Sequence, residues 1–247
     1  MDDAALSCGG SIHQEARHSN RPLVITCFAG VPDYRALSPF AVEQHQRWGQ
    51  TVDPVEARRR EDAAMGYLGA DYQQWDYLDC IYRRAPVSGE FLYTSEAALF
   101  GPVHSAEQGL INELTTRLMI SLLAEQGQIY APLAVGNHVD HQIVFQAALP
   151  LRDQGFQVQF YEDYPYVEES QKLALVLQQW KSPPTPILRT LDEQDLAAKI
   201  EAINMYHSQI ATLFGNESLM KARVRSYALA VGGGCSYKER YWQGGTR

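Results

Sequence analysis

The chain has 247 residues, enough for one large domain with a substantial core and few for two. It is 45% hydrophobic and 20% charged, as an ordinary globular protein is, and its net charge of −8 argues against general affinity for nucleic acid or anionic membranes. The four cysteines, Cys8, Cys27, Cys80 and Cys235, have no Cys-x-x-Cys or zinc-ribbon spacing and suit free thiols in a reducing compartment. No apolar run approaches the ~20 residues of a membrane helix. The acidic start lacks the pattern of a secretory signal, so a cytoplasmic location is expected.

In chain order, residues 22–30 form a short apolar, β-branched run that ends in glycine and predicts a buried strand. Residues 56–69 read as a helix carrying the run Arg58-Arg59-Arg60, expected as a solvated face. A strand over 72–78 and an aromatic-rich loop over 91–102 follow. Residues 106–126 give the clearest helix, with Leu110, Leu114, Leu118, Ile120 and Leu122 near one face and Gly127 as its stop. Residues 128–135 predict a strand that tolerates Pro132 near its end, and a turn leads into a helix over about 140–153. A strand over 156–161 and a long helix over 192–213, capped by Asp192, complete the pattern. The Pro-rich stretch 181–186 is expected to join the sheet to C-terminal helices. Strands alternating with helices predict an α/β fold with a mainly parallel sheet covered on both faces.

His138-Val139-Asp140-His141 follows a predicted strand and opens a helix, at the carboxyl end of a strand where open α/β sheets gather ligands. Two imidazoles and a carboxylate at this spacing could converge on one metal and its water; a solvated turn with Asp140 as cap is the competing reading. Asp2-Asp3 pairs two carboxylates, of which one could bind a cation and the other accept a proton; acids at a helix start also need no function.

Together, MDDAALSCGGSI, the strand ending in FAG, GNHVDHQ and YEDYPYV resemble the PIG-L/LmbE-like zinc-dependent N-deacetylase family, whose motifs are His-x-Asp-Asp and His-x-Asp-His. Arg58-x-x-Glu61 before Leu68-Gly69, and Leu78-Asp79-Cys80-Ile81-Tyr82-Arg83, extend the resemblance through most of the chain. It implies a single Rossmann-like domain over residues 1–247 with helices on both faces. It also implies hydrolysis of an N-acetyl group on a small N-acetylglucosamine-type sugar or glycoconjugate. By position, Asp2 is the implied general base and His138 stabilises the tetrahedral intermediate or protonates the leaving amine. Asp140 orients a histidine, Asp3 and His141 are the implied metal ligands, and Arg58 and Asp79 contribute to the sugar site. Zinc is the implied ion, though nitrogen and oxygen donors also suit other divalent ions. No nucleic-acid or membrane partner is expected, and homo-oligomerisation is left open.

The family's first histidine and the strand before it have no counterpart in these 247 residues, and a longer product with Met1 as an internal residue is the expectation. Two other readings compete. One is a non-catalytic relative that has lost its metal centre. The other is a nucleotide-binding α/β protein, for which Gly-x-Gly-x-x-Gly and the phosphate-loop motif are both lacking.

Overall fold

The computed structural model describes residues 1–49, 52–122 and 127–245. The elements in chain order are α1 (Asp3–Arg17), β1 (Leu23–Thr26), α2 (Pro39–Arg47), α3 (Pro54–Glu61), α4 (Ala63–Tyr67) and β2 (Asp71–Gln74). There follow α5 (Glu96–Leu99), α6 (Gln108–Leu122), β3 (Gln128–Pro132), α7 (Val139–Asp153), β4 (Gln157–Tyr161) and α8 (Ser170–Gln178). The last elements are β5 (Thr185–Leu191), α9 (Glu193–Asn204), α10 (His207–Phe214), α11 (Glu217–Val231) and β6 (Tyr237–Gln243). The fold is mixed α/β with parallel strand pairs. The chain divides into two compact units, Met1–Asp79 with Leu188–Arg240, and Cys80–Ile187 with Tyr241–Arg247.

In the first unit β1 and β2 run parallel, Leu23 opposite Asp71 to Thr26 opposite Gln74. Helix α1 packs on α9, and α4 packs on α9 as well. Gly9 and Gly10 make the α1 packing close: a Cβ on Gly9 would lie 3.0 Å from Lys199 Cγ, and one on Gly10 would overlap Leu191 Cδ1. At the same contact the buried Glu239 carboxylate accepts from Gly10 N, Ser11 N, Ser11 Oγ and Lys199 Nζ, at 3.0, 2.9, 2.5 and 2.7 Å. Burial alone would favour its neutral form, but Lys199 and the Ser11 donors outweigh it and hold the carboxyl below its usual range.

The predicted helix over 56–69 is two helices that break at Asp62, and the predicted helix over 192–213 is two helices that break at Met205–Tyr206. One hydrogen bond joins the breaks. Tyr206 Oη donates to Asp62 Oδ1 at 2.9 Å, while Thr26 Oγ1 and Gln74 Nε2 donate to Oδ2 at 3.1 and 2.8 Å. Asp62 is fully buried, so satisfying its oxygens takes precedence over helix continuity. Apolar periodicity carries no trace of this requirement. Asp192 does cap α9, in a reciprocal capping box with Asp195. Of the arginine run, Arg58 is buried and Arg59 donates to Ala29 O at 2.8 Å, so that face is not simply solvated.

In the second unit β3 and β4 run parallel, Gln128 opposite Gln157 to Pro132 opposite Tyr161, and Tyr241–Gln243 of β6 adds antiparallel to β4. Pro132 ends its strand, where a missing N–H costs least. Helix α7 packs on β3, β4 and α6 around Leu114, Leu133, Ile143, Phe145 and Phe160. The expected stripe of α6 is rotated: Ile111, Leu114 and Leu118 are buried, whereas Ile120 is 65% exposed. Residues 123–126 of that predicted helix lie outside the described residues. The 91–102 stretch contains the short α5, and β5 begins inside the Pro-rich stretch expected as a connector.

Replacing Tyr206 by Phe leaves the buried Asp62 without one donor, and urea denaturation is expected to show a loss of about 1.5–3 kcal/mol. An unchanged midpoint would mean that the two helix breaks have another cause.

Candidate active site

In the second unit, parallel β3 and β4 place their carboxyl ends side by side, so the segments leaving Pro132 and Tyr161 emerge together. The segment after β3 turns sharply, with Ala134, Gly136 and Asn137 at φ of 65°, 88° and 66°. Left-handed backbone suits glycine and asparagine but is costly for alanine, and such strain collects at functional turns. The turn delivers His138 to the N-cap of α7, with His141 one turn on; their ring centroids are 5.1 Å apart.

The partners of the two rings fix opposite tautomers. His138 Nδ1 accepts the backbone N–H of Asp140 at 3.3 Å, so Nδ1 carries no proton and Nε2 is an N–H donor. His141 Nδ1 lies 2.7 Å from Asp163 Oδ1. An ionised carboxylate can only accept, so His141 Nδ1 carries the proton and Nε2 keeps a lone pair. Asp163 is itself buried and fixed by the Val135 N–H, which donates to Oδ2 at 2.7 Å. One imidazole therefore offers a proton and its neighbour an electron pair.

Beneath them lies a buried charge cluster. Arg83 contacts Glu107 Oε2 through Nε and Asp140 Oδ1 through Nη2, both at 2.7 Å, and Cys80 N donates to Asp140 Oδ2 at 3.2 Å. Burial disfavours the charged guanidinium, but attraction from Asp140, Cys80 and Glu107 outweighs it and raises the Arg83 pKa. Burial pushes the Glu107 carboxyl up. Asp140 thus turns its carboxylate to Arg83 and Cys80, and gives His138 only its backbone N–H. Among the described residues, Cys80, His138 and Asp140 form a group that could hold a metal, with ligand atoms within 4.8 Å of one another. Asp140 in that group is already compensated by Arg83, whereas the His141 Nε2 lone pair is presented by a hydrogen-bonded, metal-ready tautomer.

In the first unit, Asp2 is the N-cap of α1 and Asp3 its first residue. Asp2 is buried, and Asp3 is partly exposed, with side-chain accessibility of 36%. Arg58 brings three of the expected residues together: Nη2 lies 3.8 Å from Asp2 Oδ1 and Nη1 lies 4.0 Å from Asp79 Oδ2. Its guanidinium stacks over Trp48, 4.2 Å from the ring centroid, and Trp48 in turn meets the His45 ring. Burial holds His45 below its ordinary pKa. Of the other histidines, His13 pairs with Asp195 at 3.0 Å and His104 accepts the Ala106 N–H.

Sequence reasoning gave no role to Asp163, Arg83 or Glu107. Asp163 had a readable signal: an acid just past a strand, at the same sheet end as His138-x-Asp140-His141.

Nitrogen NMR of metal-free protein is expected to show His141 as the Nδ1–H tautomer and His138 as the Nε2–H tautomer. In Asp163→Ala the His141 preference is expected to fall to a mixture. The same tautomer for both rings in the wild type would contradict the assignment.

No family model matches the chain. It is 26% identical over 256 residues to 2'-N-acetylparomamine deacetylase of Niallia circulans, covering 98% of this chain and 87% of that protein. Its fold matches the zinc-inhibited form of teicoplanin deacetylase with a TM-score of 0.83 and 27% identity, covering 98% of this chain and 93% of the other. It matches A40926 pseudoaglycone deacetylase with a TM-score of 0.80 and 28% identity, covering 98% and 92%. No helix among the described residues is long and apolar enough to cross a membrane. In sequence and fold the chain is similar to deacetylases of the LmbE/PIG-L fold.

Proposed function

We propose that this chain hydrolyses the N-acetyl group of an N-acetylglucosamine-type amino sugar, free or carried on a larger glycoconjugate. The observation that carries the reading is the difference in Nδ1 partners, a backbone N–H at His138 and a carboxylate at His141, which calls for opposite tautomers. Amide hydrolysis needs a donor for the oxygen on which negative charge develops, and a fixed site at which water is activated. The relatives supply the substrate class: they are deacetylases of an acetylated paromamine, teicoplanin and A40926 pseudoaglycone.

In this reading His138 donates its Nε2 proton to the developing oxyanion or to the leaving amine. Asp2, held beside the Arg58 guanidinium, takes the proton of the attacking water. Asp140 secures the start of α7, through its N–H on His138 and its carboxylate on Arg83 and Cys80. Arg58 and Asp79 contribute polar contacts to the sugar. The His141 Nε2 lone pair fits a divalent ion; zinc is the ion, and Asp3 the further ligand, that the family resemblance implies. When bound, zinc supplies Lewis acidity toward the acyl carbonyl and toward water. The residues' own work is to orient, to donate at His138 and to accept at Asp2. The atoms balance: water's oxygen joins the acetyl carbon, the C–N bond breaks, and acetate and a free amine leave.

With an N-acetylated amino sugar, amine release is expected to fall by about 10²–10⁴ in Asp2→Asn and in His138→Ala, carried by kcat. Chelation is expected to abolish release, and added zinc to restore it. Full activity in both variants would overturn the assignment of these two residues.

A further inference from the structure

Four rings close a circuit at the histidines. Phe100 meets His138 edge-on at 5.6 Å between centroids, His138 meets His141 at 5.1 Å, His141 meets Tyr166 at 6.1 Å, and Tyr166 meets Phe100 at 5.8 Å. Two of these rings have the polar work described above. The other two are aromatic faces, Phe100 against His138 and Tyr166 against His141.

Phe100 packs against His138 and Tyr166 yet keeps 37% of its surface exposed beside them. It is nonetheless firmly held. Asn137, in the turn before the motif, donates through Nδ2 to Phe100 O at 2.7 Å and to Gly101 O at 3.1 Å. Gln142 of α7 donates to Gly101 O at 2.8 Å and to Asn137 O at 2.6 Å. The loop carrying Phe100 is therefore clamped to the same turn and helix that present His138 and His141. Tyr166 is fixed from the other side: a Cβ on Gly136 would lie 2.6 Å from its Cγ, so the left-handed Gly136 lets the turn lie against the ring.

We infer that Phe100 and Tyr166 form an aromatic wall that stacks against the pyranose ring of the substrate and selects cyclic amino sugars over acyclic N-acetyl amines. The inference rests on the deacetylase reading for its chemistry and names the part of the substrate that the wall holds. An acetyl group has a single methyl to place and does not need two rings. The exposed Phe100 suits the bulkier leaving side, whose C–H faces pack on aromatic rings while its hydroxyls stay in water. Clamping removes the ordering cost that a mobile ring would incur on binding.

The test compares methyl N-acetylglucosaminide with N-acetylethanolamine, which has the amide but no ring. For the sugar, Phe100→Ala is expected to raise KM about threefold to tenfold with kcat within about twofold, and Phe100→Trp is expected to retain the wild-type KM. For the acyclic amide, Phe100→Ala is expected to leave kcat/KM unchanged. Equal losses on both substrates would overturn the inference, because the ring would then serve the amide itself. So would a loss in kcat alone, which would make Phe100 a support for His138. Saturation-transfer NMR separates this from the catalytic reading. Transfer to the sugar ring protons in wild type, weakened in Phe100→Ala, supports the wall even if no acetate is released; no transfer in wild type at millimolar sugar overturns it.

Discussion

The Asp163 carboxylate is the contact on which the second unit's chemistry depends. One oxygen takes the Val135 N–H and the other the His141 Nδ1 proton, each at 2.7 Å. Val135 follows β3, Asp163 follows β4 and His141 belongs to α7, so one buried anion ties together the two strand exits and the helix they feed. Without it the imidazole is free to change tautomer and orientation, and the lone pair at Nε2 is no longer assured. The neighbouring His138 is set by a different device, a backbone N–H at the helix start, which imposes the opposite tautomer. Two residues of one type, three apart, thus acquire complementary chemistry from where their Nδ1 atoms point.

The cluster beneath is a costly foundation. Arg83, Asp140 and Glu107 are all nearly buried, and desolvation works against each charge. Two acids share one guanidinium, and burial holds the Glu107 carboxyl above its usual range. Such a cluster adds little stability over an apolar core of equal volume, but it is directional. It fixes the first turn of α7 against Cys80 and sets the angle from which both imidazoles leave the helix.

Much of this was legible in the sequence. The strand-turn-helix around residues 128–153, with Gly136 and Asn137 in the turn, followed from apolar pattern and turn chemistry, and so did the capping of α9 by Asp192. The helix breaks at Asp62 and Tyr206 were not legible. Each segment alone carries a helical pattern, and only tertiary pairing of a buried carboxylate with a phenol interrupts both. The roles of Arg83 and Asp163 were hidden for the same reason: each is defined by a partner more than 20 residues away. Phe100 was visible as part of an aromatic stretch, but its separation from core aromatics such as Tyr93 depends on exposure, which composition does not encode.

Sequence placed the chemistry-bearing residue types, local backbone rules placed the turn, and buried polar pairing decided which nitrogen does what. The most direct measurement of the central claim is isotopic: incubate the protein with an N-acetylated amino sugar in ¹⁸O-water and analyse the acetate by mass spectrometry. Hydrolysis predicts one solvent oxygen in each acetate released, together with one equivalent of free amine. Acetate without solvent oxygen, or no acetate from any N-acetylated amino sugar offered, would contradict the account.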